Sequence, residues 1–538
     1  MIRCERFFVF LWRWHHEILF VLILCAALLL RVDLFKNDTS YVWQSDYNRD
    51  YLVAHHIIAY HEFPLTGPDG EFGSAGNSPA YFYFLARPLL IKDDIVFLGL
   101  FNVILQMGAL VIVYLLARSM FGKSVGLTAA ALFGFTQSII GQSNFIWQPH
   151  IMQPFLLLSF LLLYLAYTRR NYRLIISSVC IFLFAATLHQ SVYALAPVYL
   201  FSVFLAVRIQ QRSLAYYVGA ITTFVSTFIV LHLPLFFYFW RAPNSLPSFS
   251  NSSHSFLTVN LGQIASNVSA RMNIFFDFFF ATDSSVFLFP LLLLCFFAIL
   301  SIAYPRYARQ NKEQKDFMLI LLIIMMQFFA VTMLVSVSPL VAFPFWYFTP
   351  VFGITVIYLA EIITGFFPKG VRYLLIEIPI VVLLIFTFSP NIIHDFAHVI
   401  RNVTTDPIGS FSSVYVRPPF VGAMEKEIYG IQKREHREDF LFFGIQTFRY
   451  GLVDSFSNEI LWTPLERDLR VPLVALSDGA QRDYKPIGNP LYLFLNCRET
   501  SDAEHECLIP FSLQFPQYEI EKKVYEYPSI YLARRESP

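Results

Sequence analysis

The chain has 538 residues, of which 56% are hydrophobic and only 14% are charged, and it contains 59 phenylalanines. So much apolar side chain exceeds what the interior of a water-soluble protein can bury, so the composition excludes an ordinary soluble protein and indicates a membrane protein. The formal net charge of +1 gives no reason to expect nucleic acid as a partner.

Apolar segments long enough to cross a bilayer as helices, which takes about 20 residues each, recur along the chain. We predict about 11 of them, at approximately 17–35, 95–117, 124–141, 151–168, 173–189, 191–207, 214–236, 285–304, 317–337, 342–363 and 371–389. The sequence therefore predicts a mainly α fold, a polytopic membrane helix bundle.

Lysine and arginine sort to one side of these predicted spans. They occur in alternate connections, at 118–123, 169–173, 208–212, 306–315 and 369–372. Neither residue occurs in the intervening connections at 142–150, 189–191 and 338–344. Because cytoplasmic loops carry the excess of basic residues, we place the N-terminus inside. The loops 36–93 and 241–284 and the tail after residue 389 then share the outer face.

The tail differs in composition from the rest of the chain. It holds turn residues, many charges and short β-like runs near 441–443, 471–476 and 491–495. We therefore predict a transmembrane domain over 1–389 and an extracytoplasmic soluble α/β domain over 390–538. Within the tail, Cys497 and Cys507 are close enough in sequence to form a disulfide in an oxidising compartment.

The first outer loop, 36–93, is hydrophilic and carries a cluster of charges near its start. If Ser45 or Asp46 begins a helix, Asp46, Arg49 and Asp50 fall at i, i+3 and i+4 and share one helical face. A carboxylate near a cation stays ionised at a low-dielectric interface and can act as a general base on a hydroxyl or an amine. Asp46 and Asp50 are therefore candidate catalytic residues. The alternative is a solvated acid beside a weak surface ion pair.

Other polar residues lie at the outer ends of predicted spans. Gln148 and His150 begin one span, and His189 ends another. An ionisable group in such a place is a candidate site residue, and we expect Gln148 and His150 to face the same cavity as Asp46 and to hold a phosphate or a sugar. Each could instead be a satisfied residue of the helix bundle.

Arginines are few on the predicted outer face. The planar fork of arginine suits phosphate oxygens, so the outer arginines are candidate phosphate-binding residues: Arg49, Arg87, Arg241 and Arg271. Arg87 and Arg241 could equally anchor lipid headgroups from the ends of spans.

Taken together, the acidic first outer loop, the many spans and the outer C-terminal domain resemble the C-type integral-membrane glycosyltransferases. The likeness is greatest to the branch of protein O-mannosyltransferases and bacterial lipid A aminoarabinose transferase. In that branch the first loop runs from an acidic motif through a Gly/Pro turn to a Pro- and Tyr-rich return, which here are Asp46–Asp50, Pro64–Gly67 and Asn77–Tyr83. Trp147–His150 and Leu188–Ser191 are similar to a span start and a His-containing segment of bacterial relatives.

The resemblance implies transfer of a sugar from a polyprenyl phosphate donor to a glycan, lipid or protein acceptor at the periplasmic face of a bacterial inner membrane, with Asp46 as the base. The paired Asp-Glu of the mannosyltransferases is absent, since Tyr47 follows Asp46. Loop 142–150 has no carboxylate, so the metal site of oligosaccharyltransferases is not supported. We expect no metal cofactor, with arginine and histidine neutralising the phosphate.

Two other functions fit a polytopic membrane protein. A transporter or a flippase of lipid-linked saccharide should show inverted repeats and charged or broken spans at mid-membrane, and these spans show neither clearly. An O-antigen polymerase or ligase would be expected to place its cations in the later loop 241–284, where Arg271 is the strongest candidate.

Overall fold

The computed structural model describes residues 2–37, 45–59, 61–68, 78–143, 146–241 and 349–365, six strands, and a few isolated residues of the tail. Eleven α-helices fall in these ranges: α1 Ile2–Asn37, α2 Ser45–Ala59, α3 Ala80–Leu89, α4 Ile95–Phe121, α5 Lys123–Phe135, α6 Gln137–Gly141, α7 Gln148–Arg169, α8 Tyr172–Leu188, α9 Ala196–Ile209, α10 Leu214–Arg241 and α11 Thr349–Gly365. A 3₁₀ helix, Gln190–Leu195, precedes α9.

Five helical segments of the described chain are long and apolar enough to cross a membrane: Trp14–Val32, Phe97–Phe121, Gln148–Arg169, Gln190–Ile209 and Leu214–Arg241. In the most apolar 18-residue stretch of α7, 72% of the residues are buried by protein. In the corresponding stretch of α10, only 11% are. Thus α7 is a central helix, and α10 presents much apolar surface of the kind that lipid covers. The chain is an integral membrane protein with a mainly helical fold.

Most predicted spans in the described ranges correspond to single helices, but two do not. The span predicted at 191–207 is the 3₁₀ helix followed by α9. The other divided span is the one predicted at 124–141. It consists of α5 and α6, separated at Thr136, whose backbone is extended. Its side-chain hydroxyl donates to the carbonyl of Leu132 at 2.5 Å, which satisfies a carbonyl at the end of α5. The spans predicted at 285–304, 317–337 and 371–389 lie outside the described residues, so the total count stays a prediction.

Helix ends follow local sequence signals. Asn171 caps α8, since its side-chain oxygen accepts from the backbone N–H of Arg173 at 3.0 Å. Pro149 lies in the first turn of α7, where its missing N–H costs no helical hydrogen bond. At the other end of α7, Arg170 adopts the left-handed conformation (φ 51°) that commonly terminates a helix.

Close packing around α7 joins distant parts of the chain. Phe84, Phe155 and Phe184 form an aromatic trio with ring centroids 4.9–5.6 Å apart. On another side of α7, a Cβ atom at Gly353 of α11 would lie 2.6 Å from a methyl carbon of Leu157. A larger residue at 353 would require the Leu157 side chain to shift, so α11 approaches α7 closely here.

The tail contributes a sheet of six strands: β1 Phe443–Arg449, β2 Leu452–Val453, β3 Leu473–Ala475, β4 Tyr492–Cys497, β5 Tyr518–Tyr525 and β6 Ser529–Arg535. Its order is β2-β1-β4-β6-β5, with β3 also pairing with β1. The pairs of β1 with β3 and with β4 are parallel, and the other pairs are antiparallel. Three strands lie at or beside the predicted β-like runs. Cys507, the proposed partner of Cys497, lies outside the described residues.

The chain divides into two compact units. The first comprises Met1–Phe35, Leu65–Phe84 and Gly99–Pro407, and the second comprises Lys36–Pro64, Leu85–Leu98 and Ile408–Pro538. The boundary predicted between residues 389 and 390 divides a transmembrane domain from an extracytoplasmic one. The two compact units do not test this boundary, so it stays a prediction.

Candidate active site

Helix α2 carries the predicted acidic cluster and begins at Ser45, one of the two positions that the sequence predicts. Asp46 therefore lies in the first turn of α2, where the helix dipole favours a negative charge. Its side chain lies outside the described atoms.

The pair of Arg49 and Asp50 is the best-defined ionic contact in this part of the chain. The Nε and Nη2 atoms of Arg49 donate to the same carboxylate oxygen of Asp50, at 2.8 and 2.6 Å. The Asp50 side chain is fully buried, and that of Arg49 is 11% exposed. A buried carboxylate needs such a partner to remain ionised. The structure therefore brings together two of the three predicted charges.

A different face of α2 attaches the helix to the segment that precedes α4. Tyr47 donates from its hydroxyl to the carbonyl of Ile95 at 2.5 Å, and Tyr51 donates to a carboxylate oxygen of Asp93 at 3.1 Å. The other oxygen of Asp93 lies 2.7 Å from Nδ1 of His55. Both tyrosines are fully buried. This network fixes the orientation of α2, and with it the position of its first turn.

A second histidine on α2 also pairs with a carboxylate. The Nδ1 atom of His56 lies 2.9 Å from Oε2 of Glu62, just beyond the helix. His56 is buried and Glu62 is exposed, so this contact ties the C-terminal end of α2 to the chain that follows it.

Sequence reasoning did not select His55, His56, Glu62 or Asp93. One available signal was the four-residue spacing of Tyr47, Tyr51 and His55, which places them on one face of a helix. Asp93 gives a weaker signal, because it is separated from Tyr51 by 42 residues.

Gln148 and His150 both lie in the buried first turn of α7. The His150 ring packs edge-on against the Trp147 ring, with centroids 5.6 Å apart. The backbone carbonyl of His150 accepts a hydrogen bond from Nε2 of Gln106, on α4, at 2.8 Å. These residues belong to the first unit, and α2 belongs to the second. That they share a cavity with Asp46 stays a prediction.

His189 lies in the short connection between α8 and the 3₁₀ helix and is 5% exposed. Its Nδ1 is 2.6 Å from the hydroxyl oxygen of Ser191. Burial lowers the pKa of His189 to about 3, and nearby His150 contributes in the same direction. His189 is therefore neutral at physiological pH and can contact a phosphate or a sugar only through a neutral hydrogen bond.

The remaining predicted cations are less closely defined. Arg87 and Arg241 are exposed, in the last turns of α3 and α10, and neither side chain forms a hydrogen bond or ion pair with a residue that the structure describes. Both positions suit either a phosphate or a lipid headgroup. Arg271 lies outside the described residues.

Clustered histidine, cysteine and acidic side chains are the usual ligands of a protein-bound metal ion. Among the residues that the structure describes, no group of three or more such side chains could hold a metal.

Comparison with known proteins identifies the fold. No family model matches the sequence, and no curated protein matches it. Among solved structures, ArnT from Cupriavidus metallidurans in the apo state is similar, with a TM-score of 0.50 at 11% identity, over 93% of this chain and 97% of ArnT. The same ArnT bound to undecaprenyl phosphate gives a TM-score of 0.50 at 11% identity, over 97% and 98% of the two chains.

The oligosaccharyltransferase of Archaeoglobus fulgidus, in complex with Zn and sulfate, gives a TM-score of 0.47 at 13% identity, over 89% of this chain and 68% of that chain. These identities establish likeness of fold alone, and the argument from fold rests on ArnT. The chain has the fold of ArnT, which agrees with the fold that the sequence resemblance implied.

Proposed function

We propose that the chain is an inverting glycosyltransferase that moves a sugar from a polyprenyl-phosphate-linked donor to an acceptor at the outer face of the membrane. The observation that carries this proposal is a fold shared along 97% of the chain with ArnT bound to undecaprenyl phosphate. Fold alone does not define an activity. The buried Arg49–Asp50 ion pair of α2 supplies local support, because it lies in the loop in which the sequence predicts the catalytic base.

In the proposed reaction, Asp46 accepts the proton of an acceptor hydroxyl or amine. The deprotonated atom attacks C1 of the donor sugar, and the bond between C1 and the phosphate oxygen breaks. The electron pair of that bond leaves with the polyprenyl phosphate. A single displacement of this kind inverts the configuration at C1.

Asp50, the second predicted acid, is buried against Arg49. In the proposal this pair holds the first two turns of α2 in place, so that the carboxylate of Asp46 is presented to the acceptor. The bidentate edge of Arg49 is already occupied by Asp50, which favours a positioning role over contact with the donor phosphate.

The other predicted residues take the donor head in this proposal. Arg87 and Arg271 would neutralise the developing phosphate charge, while Gln148, His150 and His189 would offer neutral hydrogen bonds to the sugar. The reaction would need no metal ion. The proposed location is the bacterial inner membrane, with loop 36–93 and the tail on the periplasmic side.

The proposal is tested with the Asp46→Asn variant, which keeps the size of the side chain and removes its basicity. Membranes that contain it should lose transfer of radiolabelled sugar from a polyprenyl phosphate donor, by about 100-fold or more, as expected for a missing general base. Glu519→Gln, at an exposed acid on β5, is the matched control and should retain transfer. Full transfer by Asp46→Asn, at an equal level of inserted protein, would remove Asp46 as the base.

A further inference from the structure

Arg31 is a fully buried arginine near the C-terminal end of α1. Its Nη1 atom donates to two backbone carbonyls, that of Ala27 at 3.1 Å and that of Gly134 at 2.8 Å. The first contact lies within α1, and the second joins α1 to the end of α5. Arg31 forms no salt bridge with any acid that the structure describes.

The other edge of the Arg31 guanidinium is unmatched. Both Nε and Nη2 are buried and have no hydrogen-bond partner in the described chain. These two nitrogens share one edge of the planar group and point their N–H bonds the same way, which matches two oxygens of one phosphate or carboxylate. A buried cation without a counter-charge is costly, so the unmatched edge points to an anionic ligand.

In Arg49 the equivalent Nε/Nη2 edge is bound by a carboxylate of the protein. Its Nε and Nη2 both donate to Asp50, so its bidentate edge has a partner within the protein. Arg31 therefore meets the geometric requirement for a phosphate better than Arg49, which the sequence suggested for that role.

Buried glutamine amides with unmatched atoms belong to the same compact unit as Arg31: those of Gln106, Gln142 and Gln153. Asn102 and Gln106 are one helical turn apart on α4, and Leu110 follows one turn later. A Cβ atom at Gly134 would lie 3.0 Å from a methyl carbon of Leu110. Leu110 is therefore close to Gly134, whose carbonyl Arg31 binds.

The amide of Asn102 binds a backbone carbonyl just after α6, and that of Gln106 binds one in α7. Asn102 Nδ2 donates to the carbonyl of Gln142 at 2.9 Å, and Gln106 Nε2 donates to that of His150 at 2.8 Å. The side-chain oxygen of Gln106 and both polar atoms of the Gln142 amide have no partner among the described residues. Gln153, one turn after His150 on α7, has the same unmatched amide and is 1% exposed.

We propose that Arg31 binds a phosphate group through its Nε/Nη2 edge, and that the amides of Gln106, Gln142 and Gln153 hydrogen-bond the polar groups attached to that phosphate. Amides both donate and accept hydrogen bonds, which suits sugar hydroxyls. The inference rests on the proposed function in one respect, that the phosphate belongs to the lipid-linked donor. Leu28 and Leu29 of α1 are 42% and 47% exposed, so the apolar chain of a lipid has surface to contact beside this site.

The test measures binding, not transfer. Protein in detergent is titrated with a polyprenyl phosphate and, separately, with the matching polyprenol, and occupancy is read by native mass spectrometry. We expect the wild-type protein to prefer the phosphate form, and Arg31→Lys to weaken its binding by about tenfold or more, because lysine keeps the charge but lacks the fork. Lysine can still donate to the carbonyl of Gly134, so this variant preserves the helix contact.

Arg173→Gln, at an exposed arginine in the first turn of α8, is the matched control and should bind as the wild type does. Gln142→Leu and Gln153→Leu should weaken binding of the sugar-bearing donor more than that of bare polyprenyl phosphate. Equal binding by Arg31→Lys and wild type, or equal binding of polyprenol and polyprenyl phosphate, would overturn the proposal.

Competition with inorganic phosphate separates the two sources of phosphate. Competition only at concentrations far above that of the lipid supports a lipid ligand, whereas competition at equal concentration supports a phosphate site but overturns the lipid assignment. If Arg31→Lys binds polyprenyl phosphate as the wild type does and Asp46→Asn abolishes sugar transfer, the proposed Arg31 site is wrong and the proposed catalytic base stands. If Arg31→Lys loses the phosphate lipid but Asp46→Asn transfers sugar normally, the Arg31 site stands and the proposed catalytic base fails.

Discussion

Arg49 directs two N–H groups, at 2.8 and 2.6 Å, to a single oxygen of its neighbour Asp50, whose side chain is fully buried. Removing one member of such a pair leaves the other as an uncompensated charge. We expect Arg49→Gln to lower the free energy of unfolding by about 3 kcal/mol. Thermal unfolding in detergent measures this loss.

The double variant Arg49→Met with Asp50→Leu removes both charges and should recover most of the stability lost in Arg49→Gln, because apolar residues can replace a buried ion pair at little cost. If the double variant loses as much stability as Arg49→Met alone and Asp50→Leu alone added together, the pair is not coupled and does not organise α2 as proposed.

Asp93 accepts hydrogen bonds from both Tyr51 and His55 and so connects α2 to the start of α4. Asp93→Asn should weaken this connection by about 1.5–3 kcal/mol, the range for hydrogen bonds to charged groups. Hydrogen exchange of the α2 amides should then become faster, and sugar transfer should slow because Asp46 is held less firmly.

Lys92→Gln is the control for this experiment, because Lys92 is 64% exposed and pairs with Asp94 on the surface, where ion pairs contribute little. Unchanged exchange in α2 of Asp93→Asn would show that the network does not position the helix.

His189 makes stability depend on pH. Burial lowers its pKa to about 3 in the folded protein, against about 6.5 in an unfolded chain. Between these values the unfolded state binds the proton and the folded state does not, so stability is highest above about pH 6.5 and falls as the pH is lowered towards 3. The unfolding temperature should decrease across this window, and less so in His189→Gln.

Gln211 provides the comparison. It is exposed, has a positive φ of 52° that asparagine tolerates, and carries no titratable group, so Gln211→Asn should unfold with the pH dependence of the wild-type protein. An identical pH dependence in His189→Gln and wild type would contradict the assignment to His189.

The sequence predicted those features that depend on neighbouring residues. The start of α2 was predicted from Ser45 and Asp46, and the spans predicted at 151–168 and 173–189 end and begin within one residue of α7 and α8. These signals act within one or two turns of the chain, so they can be read from a single sequence.

Features that depend on distant contacts were not predicted. Arg31 lies at the end of an apolar run and reads as an ordinary arginine near a membrane surface, and only its contact with Gly134, 103 residues away, shows that it is buried. The break at Thr136 falls on the polar run Thr136–Gln137–Ser138, so the local sequence carried a sign of it that the prediction of a single span over 124–141 did not use.

The close approach of Gly353 to Leu157 has a consequence for how this protein can change over evolution. A side chain at position 353 would meet a buried leucine methyl at 2.6 Å, so an alanine there requires the Leu157 side chain to shift or position 157 to become smaller. Related chains should therefore exchange these two positions together, and such paired changes would reveal the contact between α7 and α11 in sequences for which no structure exists.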